Sequence, residues 1–197
     1  MKVVTVLGSP RKRGNTHRVL SWVEEQLRAA GHEVERYDIV DYVVRGCTGC
    51  NTCQRQESAL PSCAQDDDAT LILGAMQRAD AFVLASPVYC WGLTAQLKAL
   101  VDRSYAAAQW SQVPAGHLLA GRTGALVATA AGGSDDLALL VPPFEALLRM
   151  HQCESGGHLL VPGCGEPEEL GAEVRVRAQA FATALVGVAA SAAQRPA

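Results

Sequence analysis

The 197-residue sequence lacks several features that mark specialised classes of protein. It has no uninterrupted apolar run of the ~20 residues that a membrane-spanning helix needs. The net charge is −3, so no excess of positive charge favours nucleic acid or an anionic membrane as a partner. The apolar stretch before Gly8 is too short for a signal peptide, which predicts a cytoplasmic protein.

Two common nucleotide-binding motifs are also missing. Neither the GxGxxG fingerprint nor the Walker A pattern occurs, which argues against a Rossmann NAD site and a P-loop. Disulfides are disfavoured as well, because seven is an odd number of cysteines and cytoplasmic thiols mostly stay reduced. What is present is a 49% apolar chain, which predicts one domain over residues 1–197 with a disordered tail from about residue 191.

Apolar β-branched segments alternate along the chain with segments of helical periodicity. Strands are predicted at 2–8, 32–40, 80–92, 124–134 and 156–163. Helices are predicted from Thr16, at 66–79, from Leu93, at 143–152 (delayed by Pro142 and Pro143) and from Val174. The alternation indicates an α/β fold: a flavodoxin-like, doubly wound, five-stranded parallel sheet with helices on both faces.

The segment "GSPRKRGNTHR" (8–18) joins the first strand to the first helix. A glycine-bounded loop at a helix N-terminus presents free backbone N–H groups, which attract an anion such as a phosphate. Side-chain donors and positive charge are added by Ser9, Arg11, Lys12, Arg13, Asn15 and Thr16. The alternative is that Asn15 or Thr16 caps the helix and that the cations are solvated.

Two further loops follow predicted strands. "SPVYCWG" (86–92) carries Tyr89 and Trp91, two of only ten aromatic residues, which favours a planar ligand. "ATAAGGS" (128–134) carries Gly132 and Gly133, which would let backbone amides approach a ligand closely. Each loop alone could be a well-packed turn. Because all three loops lie at one edge of the predicted sheet, together they indicate a mononucleotide-like cofactor.

Four cysteines are concentrated in a loop predicted at 46–66. Cys47, Cys50 and Cys53 have the C-x2-C-x2-C spacing that is typical of iron–sulfur ligation, and Cys63 is the candidate fourth ligand. Three alternatives stay open: a [4Fe–4S] cluster, free or redox-sensitive thiols, and zinc or a disulfide.

These motifs resemble the flavodoxin-like NAD(P)H-dependent FMN reductases, including the iron–sulfur flavoproteins. "GSPRKRGNT" resembles their phosphate loop, "SPVYCWGLTAQLKALVDR" (86–103) their flavin-ring loop, and "CTGCNTC" the cysteine motif of some members. The gap before Cys63 is longer than is usual for that motif. The resemblance implies bound FMN held by Ser9, Arg11, Gly14, Asn15, Thr16, Pro87, Val88, Tyr89, Cys90, Trp91, Gly92, Thr129, Gly132 and Gly133.

The resemblance also implies an activity. The expected function is an FMN-dependent oxidoreductase that passes electrons from NAD(P)H through FMN, with a [4Fe–4S] cluster as a further carrier, to a small-molecule or protein acceptor. The alternative is a non-enzymatic electron carrier that docks to redox partner proteins. A homodimer or homotetramer is expected, and no catalytic side chain is assigned. Residues 106–120 are expected to cover the site or form an interface.

Overall fold

The structure, a computed structural model, describes residues 1–55, 58, 60–110 and 116–194. Its strands are β1 (Lys2–Leu7), β2 (Glu33–Asp38), β3 (Ala81–Pro87), β4 (Ala108–Gln109), β5 (Gly116–His117), β6 (Thr123–Thr129) and β7 (Glu154–Val161). Five of them form a parallel sheet in the order β2-β1-β3-β6-β7, which is the doubly wound order of flavodoxin-like folds. The predicted fold is confirmed.

The helices are α1 (Asn15–Ala29), α2 (Ala69–Arg78), α3 (Ala95–Arg103), α4 (Ser134–Ala138), α5 (Val141–Met150) and α6 (Ala172–Ala193). Short 3-10 turns span Ile39–Asp41, Thr52–Gln54, Ser104–Ala107 and Pro167–Glu169. Helices α1 and α6 pack on one face of the sheet, and α2, α3 and α5 pack on the other.

Helices cover both faces of the sheet, and neighbouring side chains on a strand point to opposite faces. On β1, Val3 and Leu7 join the apolar layer under α1 and α6. Val4 and Val6, between them, join the layer under α2, α3 and α5. Because the strands are parallel, the carboxyl ends of β1, β3, β6 and β7 lie at the same edge of the sheet, where the connecting loops can form a site.

The fifth helix begins earlier than the sequence predicted. Pro142 and Pro143 lie in the first turn of α5, which starts at Val141. Proline is well accommodated there, because the first backbone N–H groups of a helix have no partner within the helix and proline has no backbone N–H group to leave unpaired. The two prolines thus open the helix rather than delaying it.

The last helix differs from expectation in two ways. It continues to Ala193, past the predicted start of a disordered tail, and residues 195–197 lie outside the described residues. By length and composition alone, α6 is also long and apolar enough to cross a membrane. Of its most apolar stretch, 28% is buried inside the protein. Its apolar side nevertheless has a partner, because Val174, Phe181 and Leu185 pack into the layer shared with α1.

Candidate functional site

The loop after β1 is held against β3 and α3. The N–H of Gly8 donates to the carbonyl of Ala85 at 2.7 Å, and the hydroxyl of Thr94 donates to the Gly8 carbonyl at 2.7 Å. A Cβ on Gly8 would lie 2.8 Å from the Cβ of Leu97, so a larger residue does not fit. Glycine at this position lets the loop pass close to α3 before it turns into α1.

The start of α1 is open to an anion. Its N-cap is Gly14, and no side chain caps its first N–H groups. Asn15 and Thr16, the predicted capping residues, lie inside the helix instead. Ser9 is buried, and its hydroxyl accepts the N–H of Arg11 at 3.1 Å, which shapes the turn before the helix. Uncapped N–H groups and the helix dipole together suit a phosphate.

A buried contact joins the first loop to the end of β6. The hydroxyl oxygens of Thr16 and Thr129 lie 2.7 Å apart, and both residues are 2% exposed. The backbone N–H of Val88 donates to the Thr129 carbonyl at 2.9 Å, which ties the loop after β3 to the same point. Three strand-end loops are thus fixed relative to one another.

These loops surround one cavity of about 220 Å³ at the carboxyl edge of the sheet. The predicted cofactor residues that line it are Ser9, Arg11, Gly14, Asn15, Thr16, Pro87, Val88, Tyr89 and Thr129. They come from the loops after β1, β3 and β6, as expected from the strand order.

Five predicted residues do not line this cavity. Cys90, Trp91 and Gly92 form a tight turn beyond Tyr89, and the backbone groups of Tyr89 and Gly92 bond to each other at 3.0 Å in both directions. Trp91 is exposed, and its indole Nε1–H donates to Asp136 at 3.1 Å.

The other two, Gly132 and Gly133, also lie outside the lining, in the loop that leads into α4. A Cβ on Gly132 would lie 2.1 Å from a carboxylate oxygen of Asp136. Gly132 therefore lies against the side chain of Asp136 rather than against the cavity.

A fourth wall was missed at the level of sequence. The loop after β7 contributes Cys164, Gly165, Glu166 and Pro167 to the lining. The side-chain amide of Asn15 donates to the Gly165 carbonyl at 2.7 Å, across 150 positions of sequence. The glycines and proline of "PGCGEP" (162–167) indicate a turn. The acceptor in this contact is the backbone carbonyl of Gly165, which no side chain marks in the sequence.

The basic residues of the first loop diverge. Lys12 forms an ion pair with Asp41 at 2.5 Å, and Arg13 lines a separate cleft beside α1. Of the three, Arg11 alone lines the cavity. The positive charge that faces the anion-binding helix start therefore comes mainly from Arg11.

The four clustered cysteines line a second, larger cavity of about 700 Å³, bounded also by α3 and α5. Cys47, Cys50, Cys53 and Cys63 are all free thiols. Hydrogen bonds with Thr52 and Thr48 lower the pKa of Cys50 to about 7. Among the described residues, no three metal-ligating side chains lie close enough together to hold a single metal ion.

A buried ion pair anchors the base of the cysteine loop. Arg103, at the end of α3, donates to both carboxylate oxygens of Asp67, at 2.6 and 3.0 Å, and to the Arg45 carbonyl at 3.0 Å. The Arg45 N–H also donates to Asp67, at 3.0 Å. Burial by itself would raise the pKa of Asp67, but hydrogen bonds from Arg103, Arg45 and Ala69 outweigh it and hold the pKa below its usual value.

The segment predicted to be an elaboration, 106–120, packs against the cysteine loop. It forms a two-stranded antiparallel ribbon of β4 and β5, and residues 111–115 lie outside the described residues. The Gln54 side chain donates to the carbonyls of Tyr105 and Ala108, at 3.1 and 2.9 Å, and accepts the N–H of Trp110 at 3.0 Å. The turn that carries Cys53 is thereby fixed to this ribbon.

The donor set around the larger cavity fits a thiolate-bound group. The four thiols share one cavity, and the Nε–H of Arg103 is buried without a hydrogen-bond partner. Cys63 lies within hydrogen-bonding and electrostatic reach of that guanidinium. To share one ion or cluster, the thiols must draw closer together than they lie in this structure.

A family described as "NADPH-dependent FMN reductase" matches residues 1–158. An iron–sulfur flavoprotein of Archaeoglobus fulgidus is 38% identical over 134 residues, which cover 67% of this chain and 56% of that protein. The chain spans about half the length of the curated relatives it matches.

Solved structures share the fold. RosB, with bound 8-demethyl-8-formylriboflavin-5′-phosphate, matches with a TM-score of 0.75 at 12% identity, over 100% of this chain and 82% of its own. An NAD(P)H:quinone oxidoreductase from Methanothermobacter marburgensis matches with a TM-score of 0.71 at 16% identity, over 95% of this chain and 96% of its own.

Proposed function

We propose that this chain, which belongs to the NADPH-dependent FMN reductase family, is an oxidoreductase that passes electrons from NAD(P)H through bound FMN to an acceptor. The observation that carries the proposal is the convergence of the loops after β1, β3, β6 and β7 on one cavity beside an uncapped helix start. Relatives named as iron–sulfur flavoproteins give it further support.

FMN binding is assigned to the 220 Å³ cavity and its rim. That volume is below the roughly 300–1,000 Å³ of sites that enclose a drug-sized ligand, so we assign it to the phosphate and ribityl chain. The phosphate would be held by the first turn of α1 with Ser9 and Arg11. The ring would extend to the open rim against Pro87, Val88, Tyr89 and the turn of Cys90, Trp91 and Gly92. Thr129, Gly132 and Gly133 would flank its pyrimidine side.

The bound flavin supplies hydride acceptance and electron storage, and the chain supplies position and electrostatics. The Thr16–Thr129 contact and the Asn15–Gly165 hydrogen bond hold the walls of the cavity in register. Arg11 and the N–H groups of α1 neutralise phosphate charge. No side chain is assigned a proton-transfer role.

The four clustered cysteines are proposed to hold a [4Fe–4S] cluster, which would carry single electrons. The shared cavity and the C-x2-C-x2-C spacing of Cys47, Cys50 and Cys53 support this assignment. Iron and acid-labile sulfide analysis of anaerobically purified protein tests it. Four irons per chain, falling sharply in Cys63→Ser, is the expected result. Iron-free protein with intact thiols would leave the cysteines as free or redox-sensitive groups.

Turnover distinguishes an enzyme from an electron carrier. Purified FMN-loaded protein is expected to oxidise NADPH or NADH with an artificial acceptor such as a quinone. A carrier that docks to redox partner proteins would bind FMN but would not oxidise the nicotinamide directly. The proposal further includes one domain over residues 1–197, a cytoplasmic location and assembly as a homodimer or homotetramer.

A further inference from the structure

A second cleft opens beside the cofactor cavity, between the first half of α1 and the turn that precedes α6. Its volume is about 280 Å³. Pro167 lines both this cleft and the cofactor cavity, and Arg13, which lines the cleft, belongs to the loop that shapes the cavity. The cleft therefore begins where the phosphate end of the cofactor is proposed to lie.

Two guanidinium groups in this cleft have no carboxylate partner. Among the described residues, neither Arg13 nor Arg18 forms an ion pair. The Nε–H of Arg18 is buried without a hydrogen-bond partner. Arg18 lies over the ring of Trp22, with 5.3 Å between the guanidinium carbon and the ring centroid. A planar cation fixed on an aromatic ring is preorganised to bind an anion.

Two carboxylates of the lining, Glu25 and Glu168, oppose Arg13 and Arg18. Glu25 is engaged by Arg175 at 3.2 Å, so among the described residues Glu168 is the carboxylate of the lining that has no cation of its own. His17 also lines the cleft. Burial and the neighbouring charge of Arg36 lower the pKa of His17, so its ring is neutral at pH 7 and can exchange hydrogen bonds with a ligand.

We propose that this cleft binds the phosphorylated adenosine portion of a dinucleotide, with Arg13 and Arg18 on its phosphate. The inference rests on the proposed FMN site, because the cleft adjoins that cavity at its phosphate end. A phosphorylated adenosine could come from two molecules. The first is the donor NADPH, which carries a 2′-phosphate on its adenosine, and the second is FAD, whose adenylate half would extend from the flavin phosphate.

Calorimetric titration with adenosine 2′,5′-bisphosphate and with 5′-AMP tests the cleft directly. The wild-type protein should bind at least one of these probes. Arg13→Gln and Arg18→Gln should each weaken binding about tenfold or more, as expected for a lost charge-assisted hydrogen bond. Arg28→Gln is the matched control, because Arg28 is also on α1 but pairs with Glu24 outside the cleft. It should leave binding unchanged.

Cofactor experiments distinguish the two sources. For the donor, Arg18→Gln should raise the KM for NADPH about tenfold and leave the KM for NADH and the FMN dissociation constant unchanged. For FAD, the flavin-free wild type should bind FAD about tenfold more tightly than FMN, and Arg18→Gln should remove that difference.

The inference is overturned if neither probe binds, or if the double variant Arg13→Gln/Arg18→Gln binds them like the wild type. Failure of the FMN proposal has a different signature. In that case the wild type binds the adenosine phosphates but shows no affinity for FMN.

Discussion

At the scale of single residues, the turn at the rim of the cofactor cavity carries backbone strain. Cys90 and Trp91 have φ values of 47° and 60°. Residues other than glycine, asparagine and aspartate rarely adopt this left-handed backbone conformation. Two consecutive positive values are typical of a type I′ turn, for which Asn-Gly is preferred. Strain retained at a rim where a flavin ring is proposed to lie suggests that these side chains serve binding rather than folding.

Replacing Trp91 with glycine should separate folding from binding. The change relieves the strained conformation and removes a mostly exposed side chain. The free energy of unfolding of the flavin-free protein should therefore rise by about 1 kcal/mol. The same variant should bind FMN about tenfold more weakly, as expected for a lost ring contact. Urea denaturation and fluorescence titration measure the two effects. A less stable variant would contradict the strain argument.

Arg11 should determine the affinity for the phosphate of FMN. Arg11→Gln removes the one guanidinium of its loop that faces the cavity, so the FMN dissociation constant should rise about 10- to 100-fold. Riboflavin lacks the phosphate, so its affinity should stay the same. Lys12→Gln is the control, because Lys12 pairs with Asp41. Equal losses for FMN and riboflavin in Arg11→Gln would count against phosphate binding at this loop.

The position of Ser9, Arg11 and Thr16 at the cavity could be predicted, because a glycine-bounded loop before a helix commonly binds an anion. Gly165 could not be, because it contributes a carbonyl oxygen, and every residue has one. The separate environments of Arg11 and Lys12 also depend on where Asp41 lies after folding, which sequence spacing does not encode.

At the scale of elements, the structure links the cysteine loop to α3 through the Asp67–Arg103 ion pair. Both side chains are almost fully buried, at 0% and 1% exposure. Removing one member leaves an unpaired buried charge, which typically costs about 3–5 kcal/mol. Replacing both with apolar residues removes that penalty.

A double-mutant cycle should therefore show strong coupling. Arg103→Met should lower the free energy of unfolding by about 3–5 kcal/mol, and Asp67→Leu/Arg103→Met should lose clearly less. Denaturant unfolding of the flavin-free protein measures all four corners of the cycle. Additive losses would mean that the two side chains act independently.

The same pair predicts a pH dependence. The pKa of folded Asp67 lies below its ordinary value of 3.8, so the charged carboxylate stabilises the fold at higher pH. This contribution is complete above the unfolded pKa and is lost as the pH falls through the lower folded pKa. As the pH falls below about 4, the free energy of unfolding of the wild type should thus drop more steeply than that of Asp67→Asn. Parallel curves would contradict the role of Asp67.

Element types were predictable from periodicity, but the contacts between elements were not. The strands and helices around Val4 and Leu97 follow apolar patterns that local sequence shows. The sequence predicted that residues 66–68 begin a helix. Instead, Asp67 and Asp68 bind the backbone of the loop stem at Arg45 and Val43. Likewise, nothing local indicates that Gln54 ties the cysteine loop to the ribbon of β4 and β5.

At the scale of the whole molecule, α3 connects the two cavities. Thr94, at its N-terminus, donates its hydroxyl to the Gly8 carbonyl in the loop after β1 and its backbone N–H to the hydroxyl of Ser86 near the end of β3. Arg103, at its C-terminus, holds the cysteine loop. The nine residues of α3 span about 13 Å at 1.5 Å each, so a short rigid element sets the spacing of the two sites.

The two cavities should nevertheless load independently. Cys63→Ser removes a proposed cluster ligand without touching the cofactor cavity, so iron content should fall and the FMN dissociation constant should stay within about twofold of the wild type. Iron analysis and flavin fluorescence on the same preparation provide the two readings. A parallel loss of FMN affinity would show that the cysteine loop helps to build the flavin site.

The central claim is tested most directly by anaerobic titration of the FMN-loaded protein with NADPH, followed in the visible flavin band. The account predicts one FMN bound per chain and bleaching of that band by NADPH, with the colour restored by an added oxidant. A protein that stays colourless when FMN is supplied, or a bound flavin that neither NADPH nor NADH reduces, would contradict it.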